Sequence, residues 1–418
     1  MFKKILSLAF ILVSLSINAQ GTIKTMVYNL LEYPSANPSN RAVILRDILD
    51  EYEPDIFMVC ELESEAGANL ILNTSLNNEG NNFAMAPFEP SQSGDPDHQQ
   101  LIFYRKAMFS LEASEVIPTP VRDINHYTLK LKTADQQTDP VVFEVFVTHL
   151  KSSQGTANKQ LRLEMVQKFT TKLKTLVPNS FVIFGGDFNL YTQSEPAYQE
   201  LLDPTNAIVM LDPIDRPGSW NNNINFQDIH SQSTRISSGP FGAGAGGGLD
   251  DRFDFIVMSQ NMQTDPKLKY IPNTYKSFGN NGNCYDNSIN SPDCSGDFSQ
   301  ALRENLYNMS DHLPIVMNFE TNKQIVLSIN DISAESPIEL ENTLVTDKLN
   351  IRLNTNKTEN ISFEVYNLLG QKLLEFTSES LSFGTNYISI DVSQLTKGIY
   401  YLKTNLPASR TFKFLKTS

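Results

Sequence analysis

The chain reads as an α/β domain followed by a small all-β domain, and three observations predict this. From Thr22 to about Phe319, short β-like runs alternate with stretches of helical apolar spacing. After Glu320 that alternation stops. From Ile351 onward only short strand patterns remain, separated by turn residues such as Gly370, Gly384 and Gly398.

TIKTMVYNL, PDIFMVCE, LIFYR, VVFEVFVTHL, FVIFGGDFN, DFIVMS and LPIVMNF read as strands. Several are continuously apolar, as strands covered on both faces must be. SNRAVILRDILDEY, with Ser39 or Asn40 as its cap, and NKQLRLEMVQKFTTKLKTL read as amphipathic helices. In the tail, IRLNT, ISFEVYN, YISIDV, IYYLKT and RTFKFLK are the strands, with Val365, Tyr366, Ile388, Ile390, Tyr400 and Leu402 expected in the core. The expected organisation is a leader over 1–20, a first domain over 21–320, a linker over 321–335 and the β domain over 336–418.

The 418 residues suffice for two domains, and 40% hydrophobic with 19% charged residues is an ordinary globular balance. The formal net charge of −14 lacks the basic excess of general nucleic-acid or anionic-membrane binders, so an anionic substrate needs a local site. Lys3 and Lys4, the apolar run Ile5 to Ile17 and Ala19 before Gln20 have the layout of a cleavable signal peptide. That run is too short to span a bilayer comfortably, and no later stretch is apolar enough. A monomer outside the cytoplasm with no stable membrane insertion is expected. In an oxidising compartment Cys284 and Cys294 are expected to pair, whereas Cys60, closing IFMVC, is expected in the core.

Polar residues gather where the apolar runs end: Asn29, Glu61, His149, Asp187, Asn189, Asp254, Asp311 and His312. Any one of them alone is a turn or cap residue. Together they supply carboxylates, imidazoles and carboxamides, the set for an oxygen-preferring cation and acid–base chemistry rather than for zinc. FGAGAGGG, Phe241 to Gly248, leads into no helix and is read as a loop at the rim of a site, not a phosphate loop.

The ordered series VYNLLEY, FMVCELE, VTHLKSS, GGDFNL, RFDFIV and SDHLPIV resembles the endonuclease/exonuclease/phosphatase superfamily, which includes the pancreatic-type deoxyribonucleases. The resemblance covers about residues 22 to 320. It implies a four-layer sandwich, two β-sheets face to face with helices outside. By motif position it implies that Glu61, with Asn29 and Asp311, lies at a divalent metal (Mg²⁺, with Mn²⁺ or Ca²⁺ as alternatives). Asp187 and Asn189 would position the attacking water and the scissile phosphate, and Asp254 would orient the catalytic His312. His149 matches the second histidine of the deoxyribonuclease-like branch. Asp187 and His312 both stand as candidates for the group that takes the proton from water.

Lys151 in HLKSS is a candidate phosphate contact. Lys159 and Arg162 stand between that role and a solvated helix face. Tyr104 and Arg105 are read as structural, and His98 borders the cleft at most. The implied substrate is a phosphodiester, DNA or RNA among the possibilities; a phosphatase or lipid phosphodiesterase is the alternative on this scaffold, and a non-catalytic binding protein the least favoured reading. FEVYNLLGQKLLE, ISIDVSQLTKGIYYLKT and RTFKFLKTS resemble the type A sorting domain of the type IX secretion system. This implies that the type IX machinery is a partner and that the chain passes through the periplasm to the cell surface or medium.

Overall fold

The computed structural model describes residues 21–238, 241–326, 338–355, 360–378, 381, 384–404 and 411–417. The expected leader and most of the expected linker lie outside them. The chain divides into two compact units, one running to Leu327 without Leu76–Asn82, the other containing Ser328–Ser418.

The first unit holds β1 (Gly21–Tyr33), β2 (Ile56–Leu62), β3 (Phe83–Met85), β4 (Gln99–Arg105), β5 (Phe109–Ile117), β6 (Ile124–Leu131), β7 (Val142–His149), β8 (Phe181–Asp187), β9 (Met210–Leu211), β10 (Asp254–Ser259), β11 (Lys269–Tyr270), β12 (Lys276–Ser277) and β13 (Ile315–Thr321). Its helices are α1 (Arg41–Tyr52), α2 (Glu65–Leu70), α3 (Thr156–Leu173), α4 (Pro196–Leu201) and α5 (Gln300–Met309). One sheet has the order β11-β13-β1-β2-β4-β3, with β12 also on β13; the other has the order β5-β6-β7-β8-β10-β9.

The sheets pack face to face, β1 and β2 against β7 and β8. Phe143 of β7 meets Phe319 of β13 edge to face, and Gly185 of β8 leaves room for the sulfur of Met58 on β2. The opposite face of β7, β8 and β10 is covered by helix: Phe146, Phe184 and Phe255 form one apolar cluster with Met165 and Phe169 of α3 and Leu201 of α4. Every residue of FVIFGGD is therefore buried, which is why that strand alternates so little in sequence. On the first sheet, α1 and α5 pack together, and buried Arg41 of α1 donates to the carbonyls of Leu31 and Met309, both at 2.9 Å. This is the four-layer arrangement that the resemblance implies.

Cys284 and Cys294 are disulfide-bonded, and Cys60 is free and buried. No helix among the described residues is long and apolar enough to cross a membrane. The expected edge at Glu320 falls inside β13, and pairing continues beyond it. Ala134 donates to the Gln324 carbonyl at 3.0 Å and Val326 to that of Lys132 at 2.9 Å.

The second unit contains β14 (Ile338–Leu340), β15 (Leu344–Val345), β16 (Lys348–Thr355), β17 (Ser362–Tyr366), β18 (Lys372–Thr377), β19 (Gly384–Asp391), β20 (Gly398–Thr404) and β21 (Phe412–Lys416). They form the sheets β14-β16-β19 and β15-β21-β20-β17-β18. Ile351, Ile388 and Ile390 from one and Phe363, Val365, Tyr400, Leu402 and Phe414 from the other share an apolar core, so the all-β sandwich is present. Tyr366 is a correction: Phe363 and Val365 point inward, so period-two alternation turns Tyr366 out, where its hydroxyl donates to Glu364 at 2.7 Å.

One glycine sets the distance between β7 and β8. Gly186 has φ +147°, and a Cβ there would overlap the Thr148 carbonyl. Gly186→Ala should therefore destabilise the fold by about 1–3 kcal/mol or more, the usual range for overpacking. Gly94→Ala, where a Cβ would find its nearest neighbour at 3.6 Å, should change stability by less than about 1 kcal/mol. Denaturant midpoints of the two variants check this.

Candidate active site

The strands bring the polar residues to one edge of both sheets. β1 and β2 are parallel, and their regular pairing stops at Asn29 opposite Cys60, with Glu61 the next residue of β2. β7 and β8 are parallel and end with His149 directly opposite Asp187. β10 runs antiparallel to β8, so its first residue, Asp254, also pairs with Asp187. β13 runs antiparallel to β1, which puts the preceding Asp311 and His312 at the same edge. A register shift between Asn29 and Tyr33 ends the regular β1–β2 pairing beyond Asn29. Glu61 and Asn189 both adopt left-handed backbone, φ +58° and +51°, a conformation that non-glycine residues keep only when the surroundings enforce it.

The Asn29 amide is the hub. Its Nδ2 donates to Glu61 Oε1 at 2.9 Å and Asp187 Oδ2 at 3.1 Å and stands 3.3 Å from His312 Nε2. Its oxygen accepts from the Leu31 N–H at 3.0 Å. Asn29 thus meets Glu61 through nitrogen, as a hydrogen-bond bridge between carboxylates. Glu61 Oε2 accepts from the Glu32 N–H at 3.1 Å. His149 lies between Asp187 (3.4 Å) and Glu61 (3.7 Å). His312 Nδ1 contacts Asp254 Oδ2 at 2.7 Å, and the Ser231 hydroxyl donates to that same oxygen at 2.7 Å. Asn189 N–H donates to Asp187 Oδ1 at 3.0 Å, and its side chain reaches the Leu150 carbonyl at 3.4 Å.

Gln232 joins Asp311 to His312. The Gln232 amide nitrogen lies 3.2 Å from Asp311 Oδ2 and 2.6 Å from His312 Nε2. The FGAGAGGG loop also reaches this carboxylate: the Ala245 N–H donates to Asp311 Oδ2 at 2.7 Å, and a Cβ on Gly244 would press on its carboxyl carbon at 3.0 Å. The Ala245 donor lies in the loop expected at the rim of a site, whereas Gln232 and Ser231 belong to no motif read from the sequence. Their sequence context, a polar loop, carries no signal that could have singled them out.

Burial sets the charges. Asp187 is pushed well up from the usual carboxylate range, by burial first and by Asp254 and Glu61 besides, with His312 opposing. Burial pulls His312 down, but Asp254, Asp311 and Asp187 outweigh it and hold the imidazole well above its usual value. A protonated His312 requires the Gln232 carboxamide to present its oxygen, which half a turn about its last bond achieves. His149 is held well below its usual value by burial, reinforced by Arg122, His98, His312 and Lys151, so its ring is neutral.

Two sets of ligand atoms lie within 4.8 Å of one another: Glu61, His149 and Asp187, and Asp187, Asp254 and His312. Asp311 is in neither set. Its Oδ1 and that of Asp254 are buried without a hydrogen-bond partner. Unpartnered carboxylate oxygens among several like charges are the donor set a hard divalent cation takes, so the residues fit such an ion.

Of the basic candidates, Lys151 is half-buried, with Nζ 3.2 Å from the Ser152 carbonyl, and makes no hydrogen bond to the cluster. Arg162 corrects both of its readings. It is fully buried, forms an ion pair with Glu195 at 2.8 Å, and donates to the carbonyls of Lys151 (2.7 Å) and Ser153 (3.0 Å). Lys159 is half-buried beside a small groove that it shares with Tyr191 and Asn221. Arg105 is structural as expected, paired with Asp55 at 2.8 Å. A cavity of about 760 Å³, lined by Arg216, Tyr270, Asn280 and Phe298 among others, contains none of the clustered residues.

The chain is similar to the human Nocturnin catalytic domain with bound sulfate anion, at 16% identity and TM-score 0.45, covering 72% of this chain and 97% of that one. It is similar to D. rerio TDP2 complexed with single strand DNA product, at 17% identity and TM-score 0.45, over 72% and 99%. An endonuclease/exonuclease/phosphatase family protein from Bacteroides thetaiotaomicron is 14% identical, with TM-score 0.41, over 72% and 96%. No curated protein matches the chain. Residues 345–415 match the family model described as a secretion system C-terminal sorting domain. The second unit therefore carries the sorting domain of the type IX system, and the chain is exported to the cell surface or beyond.

Proposed function

We propose that the chain is a divalent-metal-dependent phosphodiester hydrolase acting outside the cell, with nucleic acid as its substrate class. The observation that carries this reading is the buried meeting of Asn29, Glu61, His149, Asp187, Asp254 and His312 at one edge of two sheets. Three carboxylates and two imidazoles, with no serine or thiol nucleophile among them, suit attack by water on an anion.

Glu61 and Asp311 would hold the ion, with Asn29 fixing the Glu61 carboxylate. Bound there, a Mg²⁺-like ion would offset the negative charge of the phosphate. Asp187, held by the Asn189 N–H and raised in pKa, is matched to accept a proton from a water aimed in line at phosphorus. The water oxygen bonds to phosphorus as the bond to the leaving oxygen breaks, and no covalent enzyme intermediate forms. The His312–Asp254 pair keeps a positive hydrogen-bond donor against the phosphoryl oxygens. Neutral His149 can donate one N–H to the leaving oxygen.

Glu61→Gln should remove most activity and leave the unfolding midpoint near wild type. Chelation should abolish wild-type hydrolysis and Mg²⁺ or Mn²⁺ restore it. Full turnover in excess EDTA would refute the metal reading.

His312→Ala should lower kcat about a hundredfold or more, the scale of an acid–base group. Asp254→Asn should also slow turnover. An effect of His312→Ala confined to KM would contradict a role in the chemical step. Parallel assays on DNA, bis-p-nitrophenyl phosphate and a simple monoester separate the readings: preference for the monoester moves the enzyme to the phosphatases.

The proposed division of labour leaves hydrolysis to the first unit. Truncation after Val326, which keeps the pairing of residues 324–326 intact, should preserve specific activity of the purified protein. In the native host the same truncation should strand the protein in the periplasm. Lost activity with normal export would reverse the assignment.

A further inference from the structure

Of the five histidines, four are buried. His126 faces Glu144 (2.7 Å) and Glu115 (3.6 Å), and His230 faces the carbonyls of Trp220 (2.9 Å) and Leu249 (3.4 Å). His312 faces Asp254 and Gln232, and His149 lies near Asp187 and Glu61 with its Nδ1 lacking a hydrogen-bond partner. His98 is the exception. Its Nδ1 lies 3.0 Å from both oxygens of Asp95, its side chain is 24% exposed, and its Nε2 has no partner among the described residues.

His98 is also held in place. It immediately precedes β4, where its carbonyl accepts from Gln100 at 3.0 Å. Asp95 is fixed from the other side by Arg122 Nε at 2.8 Å and by its own N–H on the Val121 carbonyl at 3.0 Å. Arg122 in turn donates to the Leu150 carbonyl at 3.2 Å, one residue past His149. The His98 ring meets the His149 ring edge to face, centroids 6.2 Å apart. An anchored, partly exposed ring with one free nitrogen thus stands beside the cluster, next to His149.

We propose that His98 is a substrate-contacting residue, binding through Nε2 an oxygen of a phosphodiester seated against His149. The inference rests on the phosphodiester reading of the site. With the Asp95 carboxylate on Nδ1, Nε2 is the ring atom left to meet the phosphate oxygen, and a hydrogen bond to that anionic oxygen is charge-assisted. This places a hydrogen-bond donor for an anion beside a cluster rich in carboxylates, in a chain of net charge −14. A contact made before the reaction and kept through it lowers KM and leaves kcat alone.

The test uses the full mature chain and bis-p-nitrophenyl phosphate, with Kd measured by calorimetry in EDTA and kcat and KM measured with Mg²⁺. His98→Ala should raise Kd and KM about tenfold, the scale of one charge-assisted hydrogen bond, with kcat within about threefold. His98→Gln, whose amide can reach the Nε2 position, should recover most of the loss. Wild-type binding in EDTA that His98→Ala weakens, without turnover in Mg²⁺, keeps the contact and overturns the hydrolase reading. Turnover by wild type with Kd and KM unchanged in His98→Ala overturns the contact alone. Wild type that binds no diester in EDTA overturns the contact as well.

Discussion

A buried carboxylate must be met by a proton, a hydrogen-bond donor or a cation, and the edge shared by the two sheets gathers Glu61, Asp187, Asp254 and Asp311. Much of the surrounding architecture answers that requirement. The Asn29 amide spans two of them, His312 and the Ser231 hydroxyl meet on a third, and the Ala245 N–H holds the fourth. The donors do not reach every oxygen: Asp254 Oδ1 and Asp311 Oδ1 are left over. Burial, helped by the same excess of negative charge, lifts the pKa of Asp187, and that charge holds the His312 imidazole well above its usual value.

Holding such groups together takes rigid support. Gly186 lets β8 lie close enough to β7 for Asp187 to face His149. Beyond the strand ends, the buried Arg162–Glu195 pair ties the loop after His149 to the loop after Asn189. Its guanidinium binds the carbonyls of Lys151 and Ser153, and Glu195 accepts from the Tyr191 N–H at 3.0 Å. A fully buried ion pair adds little net stability, but breaking it is expensive, so it fixes loop geometry strongly. Arg41 serves similarly on the other sheet, clasping the end of β1 to the end of α5, from which His312 follows three residues later.

The sequence by itself determined the strand ends. Apolar runs such as IFMVC and FVIFGG are buried on both faces and stop at a polar residue, so Asn29, Glu61, His149, Asp187, Asp254 and His312 stand out in the bare chain. It also determined the all-β tail and the Cys284–Cys294 bond, because short alternating strands and two cysteines in one polar loop are local features. Tyr366 was misplaced for a local reason as well, a single step in the alternation. The hairpin of β5 and β6 went unread because β5 lies at a sheet edge, and residues such as Glu112 and Glu115 dilute its apolar pattern.

Tertiary structure alone decided the partners. Gln232 and Ser231 reach the site from a loop about 80 residues before His312, and Asp95 and His98 enter it beside β4. Arg162 looked like a surface or phosphate-binding arginine until Glu195, 33 residues away, was brought against it. Which way the Asn29 amide points and which carboxylate oxygens go unpartnered depend on contacts made across hundreds of residues. Hydrogen bonds of that kind leave no periodicity in the chain, whereas burial leaves a pattern every two or four residues, and this is why the strand ends were legible and their wiring was not.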